Sequence, residues 1–196
     1  VSKVSVTGVK NWSAAMTGAG CSATTVLRAL GVLAGILDDA VADGRIIKNN
    51  ARGLSTKSRE KPVKPKSKHV YLDHDAVARL AAEAGPHRVL VLTLAYCGVR
   101  WGEAIALRVR HVDELRKRLL VVDNAVQIGG RHIVGDPKDD EPREVPVPAF
   151  VLAEIRSQID GRGPDDLVFG DGQHYLNRPK GSNGWFTKAV ERAEVQ

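Results

Sequence analysis

The chain has 196 residues, with 29 Lys+Arg against 23 Asp+Glu and a net charge of +6. A composition of 43% hydrophobic and 27% charged residues is globular, which excludes a disordered chain, and no apolar run reaches the roughly 18 residues of a membrane span. Two distant cysteines, Cys21 and Cys97, exclude a disulfide scaffold and a Cys/His zinc site, and suit a reducing cytoplasm.

The first 56 residues read as all-helical. Val9, Trp12 and Met16 recur at helical spacing. Ser22 is placed to cap a second helix, along which Val26, Leu30, Leu33, Leu37 and Val41 form one stripe, and Gly44 stops it. Two helices of this size bury too little apolar area to stand alone, so a larger helical domain or a ligand is expected to support them. Residues 57–70 form a linker. Six bases crowd it (Lys57, Arg59, Lys61, Lys64, Lys66 and Lys68), with one acid and two prolines between them. Self-repulsion and proline keep such a segment extended, either as a solvated hinge or as a strap along a phosphate backbone.

Residues 71–196 form the larger part. Asp73 caps a helix whose stripe is Val77, Leu80, Ala81 and Ala84, Gly85 ends it, and Pro86 restarts a helix. The run from Val89 to Tyr96 is apolar all round and predicts the buried centre of the domain. Gly98 is a left-handed stop, and Arg100 opens the next helix, which reaches about Leu107. The period then changes to two. Residues 119–122 and 126–128 read as strands, Gly129-Gly130 as a hairpin turn, and residues 131–134 as the return; residues 143–147 then complete a small antiparallel meander, with Pro146 marking an edge strand. A helix carrying Val151, Leu152, Ile155 and Ile159 follows Pro148, and a last helix runs from about Asn183 past Ala193 without a stop. The predicted class is mainly α with a small antiparallel β-meander (α+β).

Two residues invite chemistry. Arg100 follows the Gly98 stop at a helix start, where a guanidinium fork beside open N–H groups can grip two phosphate oxygens, and Glu103 can orient it. A surface Arg–Glu pair at i,i+3 would read the same way. Lys138, between Pro137 and an acidic turn, is held out on a loop from which it can reach into a groove, as any exposed loop lysine can.

These segments spell a family. Residues 94–107 (LAYCGVRWGEAIAL) resemble the first-arginine box of the tyrosine recombinases, or phage integrases, and residues 71–77 resemble the start of their catalytic domain. The stretch Asp136-Pro-Lys138, followed by Arg143-Glu-Val-Pro-Val-Pro148, is similar to the hairpin that bears the family's lysine. Residues 36–51 resemble the end of the core-binding domain, with Asn50 where proline is usual. The resemblance covers essentially the whole chain and implies two domains clamping a DNA duplex, with the basic linker crossing between them. It implies that Arg100 grips the scissile phosphate, Glu103 supports Arg100, Lys138 protonates the departing 5′ oxygen, and a tyrosine forms a 3′-phosphotyrosyl link. It implies no metal and no cofactor, in accord with the lack of a phosphate-cradling Gly loop and of clustered carboxylates. The partners it implies are double-stranded attachment-site DNA, a homo-tetramer on that DNA, a host DNA-bending protein and an excisionase, with no membrane and a bacterial cytoplasm as the setting.

One part of the pattern is missing. None of the six histidines has Arg three residues later, and the three tyrosines do not suit a nucleophile: Tyr71 and Tyr96 read as structural, and Tyr175 lies in a loop. In the family the His-x-x-Arg box would begin shortly after Gln196, and Val1 stands where a gene product would start with Met. The expectation is therefore a DNA-binding stretch of a recombinase, with a catalytic domain incomplete at its C-terminus. The alternative is a non-catalytic DNA-binding regulator or degenerate recombinase.

Overall fold

The computed structural model describes residues 3–52, 54, 62–63, 70–135, 141–179 and 181–195. The chain divides into two units, Val1–His69 and Val70–Gln196.

In the first unit, α1 (Val6–Gly18) and α2 (Ala23–Ala42) begin at serine caps. Ser5 accepts from the Gly8 N–H at 3.0 Å and Ser22 from the Thr25 N–H at 3.2 Å. Gly44 follows α2 at φ 69°, in the left-handed region that only glycine enters without strain. Val9, Val26, Leu30, Ala34 and Leu37 form a core with Ala51 and Leu54. The stripe on α2 is rotated from the predicted one: Ala34 and Ala40 are buried, and Leu33 and Val41 only half-buried. Trp12, Val32 and Ile36 stay 40%, 65% and 55% exposed along an open groove between the helices, in keeping with two helices that bury little on their own. The chain after α2 is tied back by amides. Asn49 Nδ2 donates to the Ala34 carbonyl at 2.7 Å, and Asn50 Nδ2 donates to the Val4 carbonyl at 2.6 Å. Asn50, which departs from the family's proline, thus makes a bond that proline could not.

In the second unit, Asp73 caps α3 (His74–Glu83), and Ala76, Val77, Leu80, Ala81 and Ala84 face the core. Pro86 sits in a single 3₁₀ turn, Gly85–His87, which leads into α4 (Arg88–Cys97). Only the first half of α4 is the buried centre expected of the whole run. Val89 to Thr93 are buried, with the Thr93 hydroxyl donating to the Val89 carbonyl, whereas Ala95 is exposed and Tyr96 and Cys97 are half-buried. Burial still pushes the Cys97 thiol up to about 11, so it stays protonated and unreactive. Gly98, at φ 64°, stops α4, and α5 (Trp101–Ala106) follows.

The strands are antiparallel as expected, but they do not pair in chain order. β1 (Val112–Asp113), β2 (Arg118–Val121) and β5 (Arg143–Pro146) form one sheet with β2 central, while β3 (Asn124–Ile128) and β4 (Arg131–Gly135) form a separate hairpin. The two sheets differ in burial. Leu119 and Val121 of β2 and Val145 of β5 are buried, whereas the hairpin buries only Ala125 and leaves Val126, Ile128 and Ile133 46%, 59% and 57% exposed. Gly129 and Gly130, at φ 57° and 82°, make its two-residue turn. Pro146 lies on an edge strand, as its missing N–H requires.

Two helices close the unit: α6 (Ala149–Ile159), which buries Val151, Leu152, Ile155 and Ile159, and α7 (Trp185–Arg192), which packs on α3. Contrary to expectation, α7 does stop. Glu194 takes φ 51°, its N–H donates to the Glu191 carbonyl, the Val195 N–H donates to the Val190 carbonyl, and Val195 is buried. That is a Schellman ending without its usual glycine, and hence without a glycine to announce it.

Candidate functional site

The Gly98 stop places Arg100 at the N-cap of α5 and Glu103 in its first turn. Glu103 faces inward, and its side chain is fully inaccessible to solvent. Four N–H groups meet its carboxylate. Oε2 accepts from the Arg100 backbone N–H at 2.8 Å and from Arg143 Nη2 at 2.6 Å; Oε1 accepts from Arg100 Nη1 at 3.1 Å and from Arg143 Nη1 at 3.0 Å. A carboxylate has about four lone-pair sites, so this one is saturated. Burial pushes the Glu103 carboxyl up, but the Arg143 and Arg100 donors outweigh it and hold the group below its usual range. It is a fixed anion with no capacity left for proton transfer.

The helix end itself differs from the anion site expected of it. The Arg100 N–H is taken by Glu103, and α5 has only six residues, too few to sum a useful dipole. What faces solvent is the Arg100 side chain, 49% exposed, with that of Arg143 38% exposed beside it. One carboxylate between two guanidiniums gives the three side chains a net charge of +1.

Arg143 is the participant that sequence reasoning passed over. It opens β5, paired with Val121, and shares a face with the buried Val145 and Val147. That alternation was readable: an arginine in register with two inward valines needs an acid beneath it.

No protein-family model matches the chain, and no curated protein matches it. Solved structures do. The Tn1549 transposon integrase in complex with circular intermediate DNA superposes with a TM-score of 0.74 over 98% of this chain and 65% of that one, at 18% identity. The same integrase with transposon right end DNA gives 0.73 over 91% and 58%, at 20% identity. A lambda integrase dimer bound to a COC′ core site gives 0.64 over 100% and 67%, at 14% identity. The chain has the tyrosine-recombinase fold. It spans about three fifths of the Tn1549 integrase chains.

Within that fold the remaining expected site residues fall differently. Lys138 and the linker bases Lys57, Arg59, Lys61, Lys64, Lys66 and Lys68 lie outside the described residues. Beside Arg100, residues Trp101, Gly102, Asn124, Gln127 and Arg178 line a cleft of about 230 Å³ where α5 meets β3. Gln127 ties the hairpin to the segment before α7. Its Nε2 donates to Asn177 Oδ1 at 2.7 Å, and its Oε1 accepts from the Arg178 N–H at 3.2 Å.

Two tyrosines are engaged by other side chains. Tyr96 shares a hydrogen bond of 2.9 Å with His74 and meets Phe150 edge-on. Tyr175 OH accepts from Arg108 Nη2 at 3.2 Å, and its ring leans on His132. Tyr71 is 89% exposed. Among the described residues no group of His, Cys, Asp and Glu is arranged to hold a metal ion, and no helix is long and apolar enough to cross a membrane.

Proposed function

We propose that the chain belongs to a site-specific DNA recombinase that cuts and rejoins double-stranded attachment sites through a 3′-phosphotyrosyl intermediate. The observation that carries the reading is the half-exposed Arg100 guanidinium, held from below by the buried Glu103 at the start of α5. Phosphoryl transfer needs positive charge aimed at the non-bridging oxygens and a proton for the leaving oxygen. Arginine meets the first need because it stays protonated and presents a planar fork. In this reading Arg100 binds the scissile phosphate and Glu103 orients Arg100; the tyrosine oxygen bonds to phosphorus as the P–O5′ bond breaks, its proton passing to solvent, and Lys138 protonates the departing 5′ oxygen. The bond energy is kept in the phosphotyrosine and returned on religation. The nucleophile lies outside residues 1–196, which bind DNA without cutting it. The acting assembly is a homo-tetramer on DNA in a bacterial cytoplasm, with the enzyme serving phage integration and a host DNA-bending protein and an excisionase as accessory partners.

A suicide attachment-site duplex tests this. The gene product that carries the tyrosine is expected to trap a covalent protein–DNA adduct, and Arg100→Ala to abolish the adduct while DNA affinity changes little. Loss of affinity in step with cleavage would remove the phosphate-activating role from Arg100. An adduct formed by residues 1–196 alone would place the nucleophile among Tyr71, Tyr96 and Tyr175.

A further inference from the structure

We propose that Arg143 is a positioning residue for Arg100, acting through the Glu103 carboxylate; the catalytic consequence rests on the recombinase reading above. Arg143 gives Glu103 a two-pronged contact, with Nη1 on one oxygen at 3.0 Å and Nη2 on the other at 2.6 Å. Such a fork fixes both the plane and the rotation of a carboxylate. The lone pairs left over then have set directions, and these take the Arg100 N–H and Arg100 Nη1. An i,i+3 pair alone would leave a half-exposed arginine loosely held, because long side chains give up rotamer freedom for little gain at a surface.

Arg143 is the better anchored of the two arginines. β5 is paired residue by residue with β2 from Arg143↔Val121 to Arg118↔Pro146, and Val145 and Val147 are buried beneath it. Position is therefore imposed by the sheet on the end of α5. An ion pair separated by 40 residues also joins the two catalytic segments of the proposed enzyme, since Lys138 lies five positions before Arg143 in the chain.

Charge gives Arg143 a second effect. With Arg143 present, these three side chains carry one net positive charge. Without it, the charges of Glu103 and Arg100 would sum to zero, so within this trio Arg143 offsets the carboxylate that Arg100 also meets.

The test needs a readout that a purely structural role would not move. In residues 1–196 labelled with ¹⁵N-arginine, the side-chain Nε–H signals of Arg100 and Arg143 are followed, with Arg88, paired to Glu154, as the control. Arg143→Lys keeps the charge and loses the fork. It is expected to lower the Arg100 order parameter and leave Arg88 unchanged; an unchanged Arg100 in the folded variant overturns the proposal. The wild-type chain supplies a reading that survives any folding failure. On acidification the Arg100 and Arg143 signals should shift together, because both face Glu103, one from its own helix and one from β5. Separate midpoints overturn the coupling.

In the gene product that carries the tyrosine, single-turnover cleavage of saturating DNA should slow by about 10- to 100-fold in Arg143→Lys, the scale of a misplaced catalytic group, with Kd within about twofold. Cleavage by Arg143→Lys at the wild-type rate would end the positioning role. No cleavage by the wild type would instead end the recombinase reading, and the arginine signals would still decide the coupling.

Discussion

Glu103 shows how one buried charge is made tolerable and then useful. Taking a carboxylate out of water costs several kcal/mol unless its lone pairs and its charge are both met, and here two guanidiniums and a backbone N–H do both. Glu103→Gln keeps the shape but removes the charge that two arginines share. Its expected cost is about 3–5 kcal/mol at neutral pH, the usual effect of breaking a buried pair, read from urea unfolding. The pH dependence has a definite sign. A carboxyl held below its usual 4.5 in the folded state contributes stability that is complete above that value and is lost as pH falls through the folded one. The gap between wild type and Glu103→Gln should therefore narrow on acidification below about pH 4.5. A gap that is constant from pH 7 to pH 3 would show that the pairing does not control the titration of this carboxyl. At this scale Arg100 and Glu103 were legible from their spacing, whereas Arg143 required its strand to be placed against α5.

Between elements, the meeting of α5 and β3 is set by the absence of a side chain. A Cβ on Gly102 would overlap the Asn124 side-chain amide and stand 2.8 Å from the Ala125 carbonyl oxygen. The amide could swing away, but the backbone carbonyl could move only with its strand. Gly102→Ala should destabilise the second unit by about 1–3 kcal/mol, as overpacking does, and displace the amide resonances of residues 124–126. Melting temperature and a ¹⁵N correlation spectrum measure the two effects, and an unchanged spectrum would mean that hairpin and helix are not in firm contact. The same contact explains why the hairpin stands apart. Ala125 packs with Ile105 and Ala106 of α5, so β3 is recruited by a helix rather than by the sheet. A two-residue period predicted every long strand, but it could not say that β2 would pass over β3 and β4 and pair with β5. The end of α7 was hidden for a similar reason, since its left-handed residue is a glutamate.

Across the whole molecule, a net charge of +6 is a modest bias, and its concentration in residues 57–68 is what points to a polyanion. Binding that neutralises phosphates releases counterions, so the logarithm of affinity falls linearly with the logarithm of salt concentration. Replacing Lys57, Lys61, Lys64 and Lys66 together by Gln should weaken binding to all duplex sequences alike. It should also flatten the salt slope by roughly 0.9 for each phosphate that is no longer neutralised. Fluorescence anisotropy on unrelated duplexes across a salt series gives both quantities. If the slope keeps its wild-type value, the linker is a spacer that touches no backbone.

The sequence by itself determined the local decisions: where α2, α3 and α5 begin, where α2 and α4 stop, and where the hairpin turns. Each of these depends on a cap or a backbone angle settled within a few residues. It also marked Arg100 and Glu103, because three residues along a helix is a local distance. Only the tertiary structure decided that β5 lies against β2, that β3 and β4 stand apart, and that Arg143 closes on Glu103 from 40 residues away. Those outcomes depend on which apolar faces find each other and on where a buried charge finds its partners, and neither is set by neighbours in the chain.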